Sequence, residues 1–499
     1  MKSNTPRNLI IISLLLLSTS LFSSVPSAHA QSSTFESIDA FIQEQMKDML
    51  IPGIAYGLVM DNETVYTNAF GKADNDGASM TSETPMHLGA MGKTFISTLM
   101  MKLTETNNIT LNQTVQSIFP WFTTSNSLES SKITLEQCLY HFTGIPTSLD
   151  ISILLNNSLE EIVRKFDTIQ LSSTPGSEFI YSNYNYIILG AIIEKVSNMT
   201  LNDSFHIFIA DPLEMNNVYT SIDEAKANGL SHGYQPWFGL QQISNKEYSK
   251  SNIVTEQFIA SADDMTHFIV AHLNSGNYEN TTILNKTNIQ MIHSIPEKFQ
   301  DKSYYAMGWA NHTLDEYEVI SHLGNLDDTF ADMMLIPSEG IGAVILINTN
   351  NFLGQTAYYQ ELVPSILKML LDQEPTVRNM TYIFLYMIID LLIILSIVFE
   401  GRRYIKFEDR LKNFLADFKD PKERRSQAIG KSIADFMIVP FILLGVPGIV
   451  SLMMGIPGFN LRMLMSLQQD LGLWIFFFGA SALIQAILRV AYFKKKKIY

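Results

Sequence analysis

The sequence predicts an α+β body, an antiparallel sheet flanked by helices with an all-helical subdomain inserted in it, followed by three transmembrane helices. Three observations predict this. Strand-like apolar runs lie near both ends of the stretch from Gln31 to about Leu371, with helical spacing between them. Three apolar segments close the chain, each near the roughly 20 residues needed to cross a bilayer. Charge follows the same division: the net is −24 over Gln31–Asn379 and +9 over the remainder, an acidic body joined to basic membrane flanks. At 499 residues, 46% hydrophobic and 17% charged, the chain is too apolar to be disordered. Its formal charge of −15 argues against a nucleic-acid partner. The single cysteine, Cys138, excludes a disulfide scaffold and a cysteine-based zinc site.

The N-terminus, residues 1–30, reads as a secretory signal. Lys2 and Arg7 precede the apolar run Leu9–Leu17, and Ala28-His29-Ala30 is a small-x-small cleavage site. The body, residues 31–372, opens with helical spacing at Ile38, Phe41, Ile42, Met46 and Met49. Two strands follow, Gly53–Met60 and Thr64–Phe70, around the turn Asp61-Asn62-Glu63. A long helix is expected from about Lys93 to Glu105. Pro120, Pro146 and Pro175-Gly176 break the middle region into helices and loops. Late strands Phe330–Ile336 and Gly342–Asn348 flank the turn Pro337–Ile341, and Asn351–Asp372 reads as a closing helix. Strands at both ends place the sheet there and the helices between.

In residues 373–499 the membrane helices are expected at about 380–399, 432–454 and 471–493. The connection 400–431 carries ten Lys and Arg residues, the tail carries Lys494 to Lys497, and the connection Gly455–Asp470 has only Arg462. Basic loops stay in the cytoplasm, so the body is expected outside a bacterial membrane and the C-terminus inside. Asp390 falls mid-span and should face other helices, because a carboxyl is costly in lipid.

The chemistry is concentrated in four short segments. Met86-His87-Leu88-Gly89-Ala90-Met91-Gly92-Lys93 sets Lys93 three residues after Ala90, on one helix face. Tyr181-Ser182-Asn183 follows Pro175-Gly176. Ser321-His322-Leu323-Gly324 is expected to precede a strand. His141-Phe142-Thr143-Gly144-Ile145-Pro146 has the character of a structural turn. Weaker signals are Pro212-Leu213-Glu214-Met215 and Tyr305-Ala306-Met307-Gly308-Trp309. No cluster has metal-ligand spacing, and no cofactor is implied.

In this order and spacing the segments resemble the S-x-x-K, Y-x-N, K-T-G/H-x-G and H-T-S-G-I-P boxes of the penicillin-recognising serine hydrolases. That family includes class C β-lactamases, D-Ala-D-Ala carboxypeptidases and related esterases and peptidases. The resemblance covers roughly Phe35 to Leu371 and implies a β-lactamase/transpeptidase-like fold. It implies that position 90 is the nucleophile's, that Lys93 and Tyr181 move its proton, and that Asn183, His322, Gly324 and Asn325 hold substrate. Backbone N–H groups of residues 90 and 325 would form the oxyanion hole.

The sequence departs from the family at the decisive point: position 90 is alanine, and neither Ser82 nor Thr94 is in register to replace it. Phe142-Thr143, Asn325-Leu326-Asp327-Asp328 and Gln257–Ser261 depart as well. The whole layout resembles membrane-anchored prodrug-activating peptidases of nonribosomal peptide pathways, the colibactin-maturing and zwittermicin types among them. The resemblance therefore implies amide hydrolysis through an acyl-enzyme, of an N-acyl-D-amino-acid cap on a small peptide or acyl-peptide. The missing serine leaves the chain inactive or nearly so. A pseudoenzyme that senses cell-wall or acyl peptides and a D,D-peptidase or penicillin-binding protein are the alternatives. The remaining expected partner is membrane lipid. The sequence does not fix the oligomeric state.

Overall fold

The computed structural model describes residues 28–106, 109–147, 158–244, 258–351, 354, 359–376, 382–449, 461, 464–465 and 469–498. The signal segment up to residue 27 lies outside the described residues. Its expected cleavage site, Ala28–Ala30, opens helix α1, Ala28–Asp48.

The body is built on one six-stranded sheet. Its strands are β1 (Gly53–Met60), β2 (Glu63–Gly71), β3 (Ala310–Leu314), β4 (Tyr317–Asn325), β5 (Phe330–Ile336) and β6 (Ile341–Ile347), in the order β2-β1-β6-β5-β4-β3. The two ends of the body meet where β1 pairs antiparallel with β6, Ile54 opposite Ile347 and Val59 opposite Gly342. All seven residues of β6 are buried, which explains its unbroken apolar run: both faces of the sheet are covered. On one face Ile54, Tyr56 and Ile345 pack with Ile38 and Ile42 of α1 and with Ile366 and Leu367 of the closing helix. On the other, Ala55, Met333 and Val344 join a core that includes Phe95, Phe268 and the inserted helical region. Each such apolar side chain contributes about 1.5–3 kcal/mol on burial.

The helices used below are α2 (Lys93–Thr106), α3 (Asn183–Ser197), α4 (Ala262–Leu273) and α5 (Leu362–Leu370). Helix α5 is shorter than the expected Asn351–Asp372, and a 3-10 turn Tyr359–Glu361 precedes it; residues 352–353 and 355–358 lie outside the described residues. Ser321–Gly324 precedes β5, as expected, but is itself strand. It lies inside β4, which continues to Asn325 and pairs with β5 over its length, His322 opposite Met333. The polar residues Glu318, Ser321, His322 and Asn325 disguised that strand.

Beyond the body come α6 (Tyr382–Ile405), α7 (Phe407–Ala416), α8 (Pro421–Pro440) and α9 (Gln469–Lys495). The basic stretch 400–431 is helical rather than an open loop, with Glu408 and Asp409 in the first turn of α7 and Asp420 capping α8 ahead of Pro421. Two of the described helices, Pro421–Ile449 and Gln469–Lys495, are long and apolar enough to cross a membrane. The third expected span, 380–399, falls in α6, whose Leu391, Leu392 and Leu395 are exposed. Asp390 faces Asp470 of α9, which also accepts a hydrogen bond from Tyr386. The carboxyl is thus turned toward another helix.

Candidate active site

Ala90 is placed by a strand and a tight turn. Met86 and His87 pair with Ala260 and Ile259, and the Leu88 N–H donates to the Phe258 carbonyl at 2.8 Å. The chain then makes a 3-10 turn over Gly89–Gly92 and enters α2 at Lys93. Residues three apart in such a turn eclipse, so Ala90 and Lys93 project from the same side. Phe258 fixes the turn from behind: a Cβ on Gly92 would stand 2.6 Å from its ring.

Two glycines press this turn against β4. A Cβ on Gly324 would lie 1.9 Å from the Leu88 carbonyl oxygen, so only glycine fits there. Gly89 adopts φ +55, and a Cβ on it would stand 3.3 Å from the Asn325 backbone nitrogen. Gly324 does not itself line the cavity; it sets the spacing between the Ala90 turn and the Asn325 amide.

The structure brings the predicted residues together. Ala90, Tyr181, Asn183, His322 and Asn325 line one cavity of about 610 Å³. Lys93 is fully buried behind it, its Nζ 5.0 Å from the centre of the Tyr181 ring and 5.8 Å from that of Tyr186. Asn183 begins α3, and its side-chain oxygen is buried with no hydrogen-bond partner among the described residues.

His141 holds the Tyr181–Asn183 segment in place. It adopts a left-handed backbone, φ +62, and its Nδ1 accepts from the Ser182 N–H at 3.2 Å and from the Asn185 amide at 3.1 Å. Thr143 donates to the Asn185 oxygen at 2.6 Å, which fixes that amide's direction. So Thr143, a departure from the expected turn, serves the turn's polar network. The ring packs on Tyr181 and Tyr305, centroids 4.5 and 4.9 Å away. Burial, and then the charge of Lys93, keep His141 far below the usual imidazole range, so it is neutral with its proton on Nε2.

His322 is neutral too. Its pKa is pushed down to about 3, first by burial and then by Lys93. Nδ1–H donates to the Leu323 carbonyl at 2.7 Å, and Nε2 accepts from the Tyr305 hydroxyl at 3.0 Å. Both ring nitrogens are therefore engaged within the protein, and the site presents no cationic imidazole. Tyr305 was missed as a site residue, although its segment stood out in the sequence. Gly308 explains that segment: with φ +76, its missing side chain lets it close on Lys93, whose carbonyl oxygen would be 2.9 Å from a Cβ. The pairing of β3 with β4 stops at Ala310 opposite Ser321, and the cavity opens beside the rest of β4. Asp332, Met334, His312, Gln360 and Pro364 line its far side. Nothing in the motif pattern pointed to them.

The comparison with known families matches residues 38–363 to Beta-lactamase. The chain belongs to the beta-lactamase family. Among curated relatives, Protein flp of Staphylococcus aureus (strain MW2) is 26% identical over 320 residues, 63% of this chain and 63% of that protein. Unguisins hydrolase ungD' of Aspergillus campestris is 26% identical over 341 residues, 62% and 61% of the two chains. The chain thus spans less than two thirds of the length of these relatives. The octameric penicillin-binding protein homologue from Pyrococcus abyssi superposes with a TM-score of 0.58 at 22% identity, over 68% of this chain and 78% of that one, a likeness of fold.

Proposed function

We propose that this chain is a membrane-anchored, extracytoplasmic member of the serine-hydrolase group within its family, in which Ala90 stands at the nucleophile's position. The parent reaction is amide hydrolysis through an acyl-enzyme. Lys93 and Tyr181 form the proton-transfer pair. The N–H groups of Ala90 and Asn325 receive the developing oxyanion, and the Asn183 side chain holds a substrate N–H. The observation that carries this reading is the buried ammonium of Lys93, 5.0 Å from the Tyr181 ring centre, behind the cavity that the Ala90 methyl lines. Backbone donors survive the loss of a hydroxyl, so the cleft binds an acyl amide without forming a bond to it. Loss of a nucleophile alone costs on the order of 10⁶ in turnover.

Two helices long and apolar enough to cross a membrane, Pro421–Ile449 and Gln469–Lys495, support anchoring; the basic stretch 400–431 and the Lys494–Lys497 tail support the body outside and the tail inside a bacterial membrane. The named activity of the Aspergillus relative, a hydrolase of unguisins, supports a peptide-like substrate. An N-acyl-D-amino-acid cap is the specific substrate proposed.

The test is covalent labelling. The unaltered chain is expected to take up no fluorescent penicillin or fluorophosphonate, and Ala90→Ser to take up one of them. A correctly folded Ala90→Ser that labels with neither overturns the catalytic ancestry of the pocket.

A second reading, a ligand sensor, is favoured by one chain of contacts. Gln469 of α9 bonds Gln235, and Gln235 donates to the Asp327 carbonyl at 2.7 Å, two residues after Asn325. That links the cavity rim to a candidate membrane helix.

A further inference from the structure

We infer that the cavity has a second subsite, on the back face of the sheet around Asp332, that takes a basic nitrogen on an apolar arm, an ammonium or guanidinium. Alternation along the strands places it. Ala331, Met333 and Leu335 of β5 belong to the core on the Ala90 side, so Asp332 and Met334 point to the opposite face, toward α5. The same alternation puts Ser321 and Leu323 on that face and His322 on the other. All of these except the three core residues line one cavity with Ala90 and Tyr181. The space therefore bends around β4 where its pairing with β3 ends, and reaches the back of the sheet.

Asp332 lies at the end of that passage. It is 1% exposed, and neither carboxyl oxygen has a hydrogen-bond partner of good geometry among the described residues. Its neighbours across the sheet, Leu323 and Ile345, are apolar. Lys368, the basic residue of α5, pairs with Asp315 at 3.0 Å. A buried acid with no contact beyond the poorly aligned N–H of its neighbour Met333 is costly, and a chain selected for stability alone would carry an apolar residue there. The other titratable groups lining the cavity are Tyr181, Tyr304, Tyr305, His312 and His322. None supplies a cation, since His322 is held neutral and burial lowers His312 as well. A ligand that brings its own positive charge completes the site, and a body of net charge −24 draws such ligands in.

This inference concerns binding and does not need the chemistry proposed for position 90. The test compares two probes of equal size on the full-length chain in detergent, by titration calorimetry. They are N-acetylcadaverine, which ends in an ammonium, and N-hexylacetamide, which ends in a methyl. The ammonium probe is expected to bind at least tenfold more tightly, and Asp332→Asn to bring the two within twofold while the neutral probe's affinity holds. Equal affinities for the unaltered chain, a preference that survives Asp332→Asn, or binding of neither probe would each overturn it. Failure of Ala90→Ser to label leaves all of these outcomes unchanged, so the two proposals fall separately.

Discussion

Gly324→Ala probes the contact on which the oxyanion geometry rests. The added Cβ would lie 1.9 Å from the Leu88 carbonyl oxygen and 2.9 Å from its carbon, both backbone atoms that cannot rotate away. An ordinary contact needs well over 3 Å, so β4 and the Ala90 turn must part by more than 1 Å. Overpacking a core costs about 1–3 kcal/mol, and a backbone-to-backbone clash belongs at the upper end. For a body of this size that is a fall in Tm of about 4 °C. The same displacement moves the Asn325 N–H away from Ala90. In an Ala90→Ser background, where the proposed function predicts acylation, losing one of the two proposed oxyanion donors should cost about 10²–10³ in rate. Scanning fluorimetry and the rate of penicillin labelling read the two effects. Gly401→Ala, where a Cβ meets nothing within 4 Å, is the control and should leave both unchanged. A Gly324→Ala protein with unaltered Tm and labelling rate would refute the close packing of turn and strand.

Asp332→Leu should raise Tm at pH 7.5 by a few degrees, because burial holds that carboxyl well above the usual range and the folded state keeps a proton that the unfolded chain releases above about pH 4. Its cost grows as pH rises, so the gain should shrink toward pH 4; a gain independent of pH would contradict this. The buried imidazoles of His141, His272, His293 and His322 act in the opposite sense, since burial first of all lowers each, His293 and His322 to about 3. Unfolding binds protons below about pH 6.5, so stability should fall from there toward pH 3, and His293→Gln should reduce that slope by about 1.4 kcal/mol per pH unit in denaturant titrations. His141→Ala strands two buried donors, the Ser182 N–H and the Asn185 amide, and should cost about 3 kcal/mol or more while displacing Tyr181, read as loss of both Tm and labelling in the Ala90→Ser background.

The sheet's central strands were legible because β1, β5 and β6 are apolar runs bounded by turn residues, and local sequence suffices for that. β4 was harder: its polar residues Ser321, His322 and Asn325 line the cavity, so the strand pattern is broken where the site is built. The joining of Ala90, Lys93, Tyr181 and His322 was legible only through four short motifs read together; no periodicity encodes it. His322 is kept neutral first by burial and then by Lys93, a fact of three-dimensional placement that its motif does not carry. Asp332 gave no signal in sequence. A lone acid within an apolar strand reads as an interruption until the structure shows a cavity beside it. The basic stretch 400–431 was assigned from charge, and charge says nothing of its helices.

The central claim is that the Lys93 amine serves the atom at position 90. Intact-mass spectrometry of Ala90→Ser exposed to penicillin, with and without Lys93→Ala, tests it most directly. The account predicts a single acyl adduct on Ala90→Ser and an adduct formed at least 100-fold more slowly when Lys93 is removed. Equal rates of adduct formation in the two proteins would contradict it.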